Sequence, residues 1–475
     1  MPQPRKIYLL DPRQLSPETI AVAFAKTSRS PQSFQEIADE LSDEKSADFH
    51  EKWVVGYGHS SVAEHAVLHI ALENVSRLSV ECIESNRLAS YTEKSSRYQV
   101  WDQDHFYVPP ELASHPFEKG YIAINQRLFD HYQLAFEKVG EYLKSNQPQQ
   151  ESESERAYSQ RLRTCCADVC RYYLPASALA NVGMTINARA LEHAITKLLS
   201  HPLIEVQTIG REVKAESQKI VPTLVKYAKE NLYLKSYEDI MYPLAKDEKL
   251  SIEKDNDWFK CVNCDPDGET RILAALLFRF GEKSYDHAIG KVKAFESGQK
   301  KEMVSNLLGR LGEHDIPLRE LEYASFNFEV MLDQGAYFEL KRHRMMTQTP
   351  QALTARLGYA IPALLEEAGV LPLFNADMAD VIEFYEKLND LNPHIASYIV
   401  PNAFNRRVLI QMNLRSALHF INLRSASNAH FAIRRVALRM AEEISQRYPV
   451  FANYFTPAYN ETWQSLSSQS FYSLS

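Results

Sequence analysis

Glycine is scarce in this 475-residue chain, at 15 residues, and cysteine scarcer still, at six. The low glycine count argues against a loop-rich β architecture. Six cysteines without regular spacing cannot form a disulfide framework. No apolar run approaches the ~18 residues of a membrane helix; the longest resemble Ile272–Phe278. Residues Met1 to Asp11 are polar apart from Ile7–Leu10 and lack a signal-peptide core. No Walker sequence occurs, and Gly56-Tyr57-Gly58 runs into His and Ser, which breaks G-x-G-x-x-G. Excess positive charge is also missing: 53 basic against 61 acidic residues leave −8. That balance excludes a general nucleic-acid binder, although a basic pocket for a small phosphate stays open. The expectation is a soluble cytoplasmic protein with neither a membrane nor a nucleic acid as partner.

What is present is globular and repeated. Hydrophobic residues make up 45% and charged residues 24%, enough for a substantial core. Pro175 is followed twelve residues later by Asn187-Ala188-Arg189, and Pro401 at the same interval by Asn413-Leu414-Arg415. Gly58-His59 precedes Glu64, with Glu73 nine beyond; Gly312-Glu313-His314 precedes Glu320, with Glu329 nine beyond. A basic segment follows each, Ser85-Asn86-Arg87 and Arg342-His343-Arg344. The starts rhyme too: Lys6–Asp11 then Ile20–Lys26, and Phe259–Cys264 then Ile272–Phe278, each read as strand, turn and amphipathic helix.

The chain therefore reads as two diverged copies of one module, 1–240 and 257–475, joined by the charged segment Lys246–Asp257. Ser145–Glu155 reads as a polar insertion loop. Helices are expected over Gly120–Leu143, Glu155–Tyr173, Met378–Leu388 and Leu414–Arg447, the last broken near Ser425–Asn428, with a strand over Val67–Glu73. The fold class expected is α+β, each module packing helices on a mostly antiparallel sheet. A tandem duplication also suggests a pseudo-dimer with sites between modules.

Several clusters admit both a chemical and a plain structural reading. Arg342-His343-Arg344 suits a pyrophosphate, because arginine forks grip phosphate oxygens, but equally suits a solvated basic turn. Arg415 and Arg424 face either an anion or surface carboxylates. Ser90–Tyr98 (SYTEKSSRY) is a polar loop fit for a nucleotide, or simply a turn. His59–His65 holds two histidines and a glutamate, yet its spacing is not H-E-x-x-H, and a Ser61/Glu64 capping box explains half of it. No metal is expected. Cys261 and Cys264 lack a second pair at zinc spacing and fall on a strand; Cys165, Cys166 and Cys170 read as packing residues.

Together these motifs resemble the flavin-dependent thymidylate synthases (ThyX). Their signature is R-H-R-x-x-S-x-N-E-x-S-x-R-Y, preceded by G-H-x-S-x-x-E-H and followed by N-x-R and a further arginine. In the first module Gly58–His65 fits, as do Ser90, Glu93, Ser95, Arg97 and Tyr98, but Ser85 and Asn86 stand where Arg and His belong. Asn187 and Arg189 remain, and Lys197-Leu198 lies where the downstream arginine is missing. In the second module Arg342-His343-Arg344, Asn413, Arg415 and Arg424 are intact. There Thr349-Pro350 replaces Asn-Glu and Ala352 the serine, and Arg356 and Tyr359 fall two and four residues late.

The losses are complementary, which suggests divided labour. The resemblance implies that Arg342, His343, Arg344, Asn413, Arg415 and His419 hold FAD, with His59, Ser61 and Glu64 lining the same pocket. It implies that Glu93, Ser95, Ser96 and Arg97 hold dUMP and that Arg424 is catalytic, pressing on the uracil or its phosphate. NADPH and methylenetetrahydrofolate would be co-substrates, and a homodimer would form a pseudo-tetramer of modules. A degenerate ThyX-like protein that binds flavin or nucleotide without catalysis is the alternative.

Overall fold

The computed structural model describes residues 6–28, 30–56, 60–101, 105–245, 257–312, 314–455 and 461–474. His59 and residues 246–256 of the connecting segment lie outside them. The chain forms two compact units. The first comprises 1–95, 105–118 and 177–250; the second comprises 96–104, 119–176 and 251–475. Helical residues from the first sequence repeat thus belong to the second spatial unit.

The first unit carries a three-stranded antiparallel sheet in the order β1 (Val67–Ser76), β3 (Leu179–Asn187), β2 (Ala89–Glu93). The ladder runs from Val67↔Asn187 to Ser76↔Leu179 and shifts between Leu72 and Val75. Asn74 accommodates the shift with φ 57, a left-handed conformation that asparagine tolerates. Its amide donates to Asn181 Oδ1 at 3.0 Å. The polar segment read as a nucleotide loop is therefore strand as far as Glu93, because Ala89–Glu93 completes the sheet edge on β3.

The second unit repeats this plan with one more strand. Its sheet runs β4 (Phe259–Cys264), β5 (Ser325–Asp333), β8 (Asn405–Asn413), β6 (Thr347–Pro350). Two short strands, β7 (Ile361–Pro362) and β9 (Phe471–Ser473), pair separately. The strand expected at Lys6–Asp11 does not form: residues 6–10 have no regular structure. The reason is burial, since Phe259 is fully enclosed at the start of β4, whereas Ile7 and Leu9 are about nine-tenths exposed. Leu10 packs instead against Ala23, Ile37 and Ala38, away from any strand.

Capping explains the repeated asparagines. Asn187 caps Ala188–Leu199 by accepting from the Ala190 amide, and Asn413 caps Leu414–Arg424 by accepting from the Ser416 amide. Ser76 and Asp333 likewise cap Arg77–Ile83 and Gln334–Leu340. The long expected helices form as Glu118–Asn146, Glu155–Cys170 and Leu371–Leu391. Leu414–Arg424 and Phe431–Arg447 stand either side of the anticipated break.

Within the second unit the helix Glu118–Asn146 packs on Leu371–Leu391. Buried Asp377 receives His131 Nδ1 at 2.6 Å and pairs with Arg127 at 3.1 Å. A Cβ at Gly120 would come within 2.7 Å of the Phe384 ring, so this contact needs glycine. The cysteines Cys166 and Cys170 are buried packing residues, and burial raises the thiol of Cys166 to about 11. All six cysteines are free thiols, with Cys261 and Cys264 on β4.

Glu93 ends β2 in a buried ion pair with Arg77 at 3.1 Å, both side chains under 5% exposed. Removing one partner of such a pair costs roughly 3–5 kcal/mol, because the other charge stays buried alone. Glu93→Ala should therefore speed hydrogen exchange across β1, β2 and β3. An apolar double replacement of Arg77 and Glu93 should restore most of the protection. Unchanged protection in the single variant would show that the pair carries no stability.

Candidate active site

The apolar run Ala336-Tyr337-Phe338-Glu339-Leu340 forms the buried helix Gln334–Leu340, and its one acid is enclosed with it. A carboxylate buried there requires cations. Arg171, in the 3-10 turn Arg171–Tyr173, donates Nη1 to Glu339 Oε1 at 3.1 Å. Arg424, ending the helix Leu414–Arg424, donates Nη1 to Oε2 and Nη2 to the Glu339 carbonyl, both at 3.3 Å.

The third Arg424 contact defines a histidine. Its Nε donates to His343 Nε2 at 2.9 Å. An imidazole that accepts at Nε2 is neutral and carries its proton on Nδ1. Burial, then the Arg424, His419 and Arg342 charges, push His343 down to about 3. His419 lies 5.7 Å from the His343 ring and Phe420 4.9 Å. Burial also lowers Arg424, reinforced by Arg342 and Arg97 and opposed by Glu339.

Arg97 joins the same unit from the other repeat. Its Nε and Nη2 grip both oxygens of Asp168, at 2.7 and 2.9 Å, and Nη2 also donates to the Asn428 carbonyl at 3.2 Å. His430 is buried nearby, contacting the Asp168 carbonyl through Nε2 at 3.0 Å. Gln348 Nε2 ties the turn after Glu339 by donating to the carbonyls of Leu340 and His343, at 3.1 and 3.2 Å. Its Oε1 is buried without a partner among the described residues. One unit thus gathers Arg97, Asp168 and Arg171 of the first repeat with Glu339, Arg342, His343, His419 and Arg424 of the second. The cluster is cationic, partly enclosed and fit to receive an anion.

Other sequence candidates sit elsewhere. Glu93 is committed to Arg77 in the first unit, and Ser95 follows it in that unit; Ser96 is buried in the second. Arg344 is half-buried on the turn beside His343. Arg415 donates to the Pro317 carbonyl at 2.9 Å and to Glu322 at 2.8 Å. Glu322 borders a cleft of about 810 Å³ walled by Phe278, Arg279, Tyr285 and Tyr323. Its counterpart in the first unit is a cleft of about 620 Å³ lined by Phe24, Phe49, Trp53, Ser61, Glu64 and His65, where Arg189 pairs with Glu64. Ser61 and Glu64 lie in the 3-10 segment Ser60–His65, and it is Arg189 that takes the glutamate. Among the described residues no group of three or more His, Cys, Asp or Glu is arranged for a metal.

The first repeat keeps the Arg424–His343 contact in altered chemistry. There Lys197 donates to Ser85 Oγ at 2.5 Å and to Asn86 Oδ1 at 2.9 Å. A cation still reaches the turn, with a serine and an asparagine at the positions of Arg342 and His343. Sequence reading missed Glu339, Asp168 and Arg171. The one acid in an apolar helix was the available signal for Glu339; the other two lie on ordinary-looking helical stretches.

Comparison with known proteins agrees with the duplication. The model for "Thymidylate synthase complementing protein" (Thy1) matches residues 11–223 and again 260–450. A UPF0159 protein of Chlamydia muridarum is 31% identical over 437 residues, covering 87% of this chain and 82% of the relative. A UPF0159 protein of Thermoplasma acidophilum is 25% identical over 454 residues, covering 87% and 89%. A flavin-dependent thymidylate synthase of Clostridium tetani is 28% identical over 214 residues, covering 45% of this chain and 82% of its own.

His343 should remain neutral well below its usual range. Its proton affinity is lower folded than unfolded, so the stability it contributes is complete above about pH 6.5 and drains as pH falls toward about 3. Imidazole ¹⁵N shifts should report a neutral Nδ1–H tautomer at pH 5. A titration centred near 6.5 would contradict the buried hydrogen bond to Arg424.

Proposed function

The chain belongs to the thymidylate synthase complementing protein family, and from that premise we propose that it is a flavin-dependent thymidylate synthase. It would convert dUMP to dTMP with methylenetetrahydrofolate as carbon donor and NADPH as reductant. The observation that carries this reading is the Glu339–Arg424–His343 assembly, to which both repeats contribute within one compact unit.

Arg424 has five N–H donors and spends three on His343 and Glu339. Two remain for an anionic ligand, which suits a group that favours charge developing on a pyrimidine ring. Glu339 fixes the guanidinium plane, and neutral His343 leaves the cation's charge uncompensated on the ligand side. Arg97, held by Asp168, adds positive charge for the dUMP phosphate, with Ser96 next to it in the chain; Glu93 and Ser95, which the family resemblance would add, belong to the first unit, where Glu93 is paired with Arg77. Orientation and electrostatics are the protein's share of such a reaction.

FAD, when bound, supplies the redox and carbon-relay chemistry. The turn at Arg342–Arg344 fits such a group, with two guanidiniums, a neutral imidazole and the unpartnered Gln348 Oε1. His419 adjoins that turn. Asn413, which caps the helix Leu414–Arg424, and Arg415, which donates to Glu322 beside the cleft, belong to the proposed flavin set as well. His59, Ser61 and Glu64 are the corresponding set in the first repeat.

The second reading, a flavin or nucleotide binder without catalysis, is favoured by the first repeat, where Lys197 meets Ser85 and Asn86 instead of an imidazole. Tritium release from dUMP labelled at the 5-position, with FAD, NADPH and methylenetetrahydrofolate supplied, separates the two. Folate-dependent release is expected, with Arg424→Ala lowering turnover at least about a hundredfold, the scale of losing one transition-state donor. Flavin content, read by absorbance near ~450 nm, should fall much less. No release from folded, flavin-loaded protein would favour the binder.

A further inference from the structure

We propose that a cavity of about 230 Å³ in the second unit, lined by Trp258, Asp333, Asn405, Arg435 and Phe471, is a binding site for a small oxyanion held by Arg435 and the Trp258 indole. The argument starts from a buried cation. Arg435, on the helix Phe431–Arg447, is 9% exposed. Its guanidinium carbon stacks 3.6 Å from the Trp258 ring centroid and lies 5.9 Å from that of Phe471. No hydrogen bond or ion pair joins the guanidinium to another described residue, and its Nε is buried without a partner.

Its helix neighbours show how unusual this is. Arg434 pairs with Glu461, and Arg439 with Asp257, Glu442 and Glu443. The stacked indole repeats the deficit, since Trp258 Nε1 is also buried and unpartnered. Guanidinium and indole are donors only, so what both lack is an acceptor. Stacking offsets part of the cost of burying Arg435 but supplies no hydrogen bond. An oxyanion answers both groups at once and brings the missing negative charge.

Size narrows the class. The cavity admits a phosphate or a short carboxylate and is too small for a nucleotide or flavin. Asp333 shares the wall but stays outside ion-pair distance of Arg435, its Oδ1 accepting from the Ala336 amide at 2.8 Å. Burial raises Asp333 to about 6, opposed by Arg171 and reinforced by Glu339. An arriving anion would raise it further, so binding takes up a proton there. Asp333 also caps the helix that carries Glu339, which connects the cavity to the candidate active site through one rigid element.

The test is binding, and it stands apart from the synthase reading. The full-length protein would be titrated with inorganic phosphate and, separately, acetate, at ionic strength held with chloride, while tryptophan fluorescence is followed. A saturable change is expected with one of them, and which one identifies the anion as tetrahedral or planar. Trp258→Phe should abolish the signal. Arg435→Gln should weaken affinity about tenfold or more, the scale of one lost charge-assisted hydrogen bond. No saturable response to either anion, or equal affinity in Arg435→Gln, would overturn the site. Should Arg435→Gln fail to fold, wild-type crystals soaked in selenate decide: an anomalous peak against Arg435 supports the proposal, and water alone in the cavity refutes it.

Discussion

The second unit is organised around the carboxylate of Glu339. A buried charge cannot be tolerated without partners, so its position dictates where two arginines must be. Arg171 reaches it from the end of the helix Glu155–Cys170, and Arg424 from the end of Leu414–Arg424. Because those helices come from different repeats, the ion network also ties the two halves of the sequence together. The Asn402 side chain reinforces the tie by donating to the Arg171 carbonyl at 2.9 Å, next to the bridge between Pro175 and Pro401.

The same network sets the state of the candidate site. Arg424 cannot rotate toward solvent while Glu339 holds two of its nitrogens. That constraint presents its Nε to His343 and keeps the imidazole neutral. The proton is thereby confined to Nδ1, and the turn bearing Arg342 and Arg344 inherits a fixed orientation. In the first repeat the lysine at the matching turn donates to a serine and an asparagine where the second repeat has a histidine. The two copies have therefore kept a shape and diverged in charge.

Much of the architecture was legible from spacing. The recurrence of Pro, twelve residues and Asn-x-Arg marked the duplication, and the structure gives its physical reason: each asparagine caps the helix that directly follows it. The break near Ser425–Asn428 was readable because polar short side chains interrupt an amphipathic pattern. The strand at Lys6–Asp11 failed because local alternation says nothing about whether an apolar neighbour exists to cover it. Ser90–Glu93 became strand because edge pairing with β3 overrides polar composition. For the site, Arg97, His343 and Arg424 stood out as charged motif members. Asp168 and Arg171 did not, because their role arises only when a helix of one repeat meets a helix of the other.

The allotment of residues 119–176 to the second unit bears on how such a gene can evolve. A duplicated domain ordinarily retains the option of separating again, each copy folding alone. Here the later copy encloses Glu339 with an arginine encoded by the earlier one, and it rests on a helix whose Gly120 is shaped to its Phe384. Division of the reading frame between the repeats would leave the second product with an exposed helix-binding face and a buried acid deprived of one of its two arginines. Fusion has thus acted as a ratchet: once the earlier copy had lent residues 119–176 to the later one, the later copy could not return to being a self-sufficient protein.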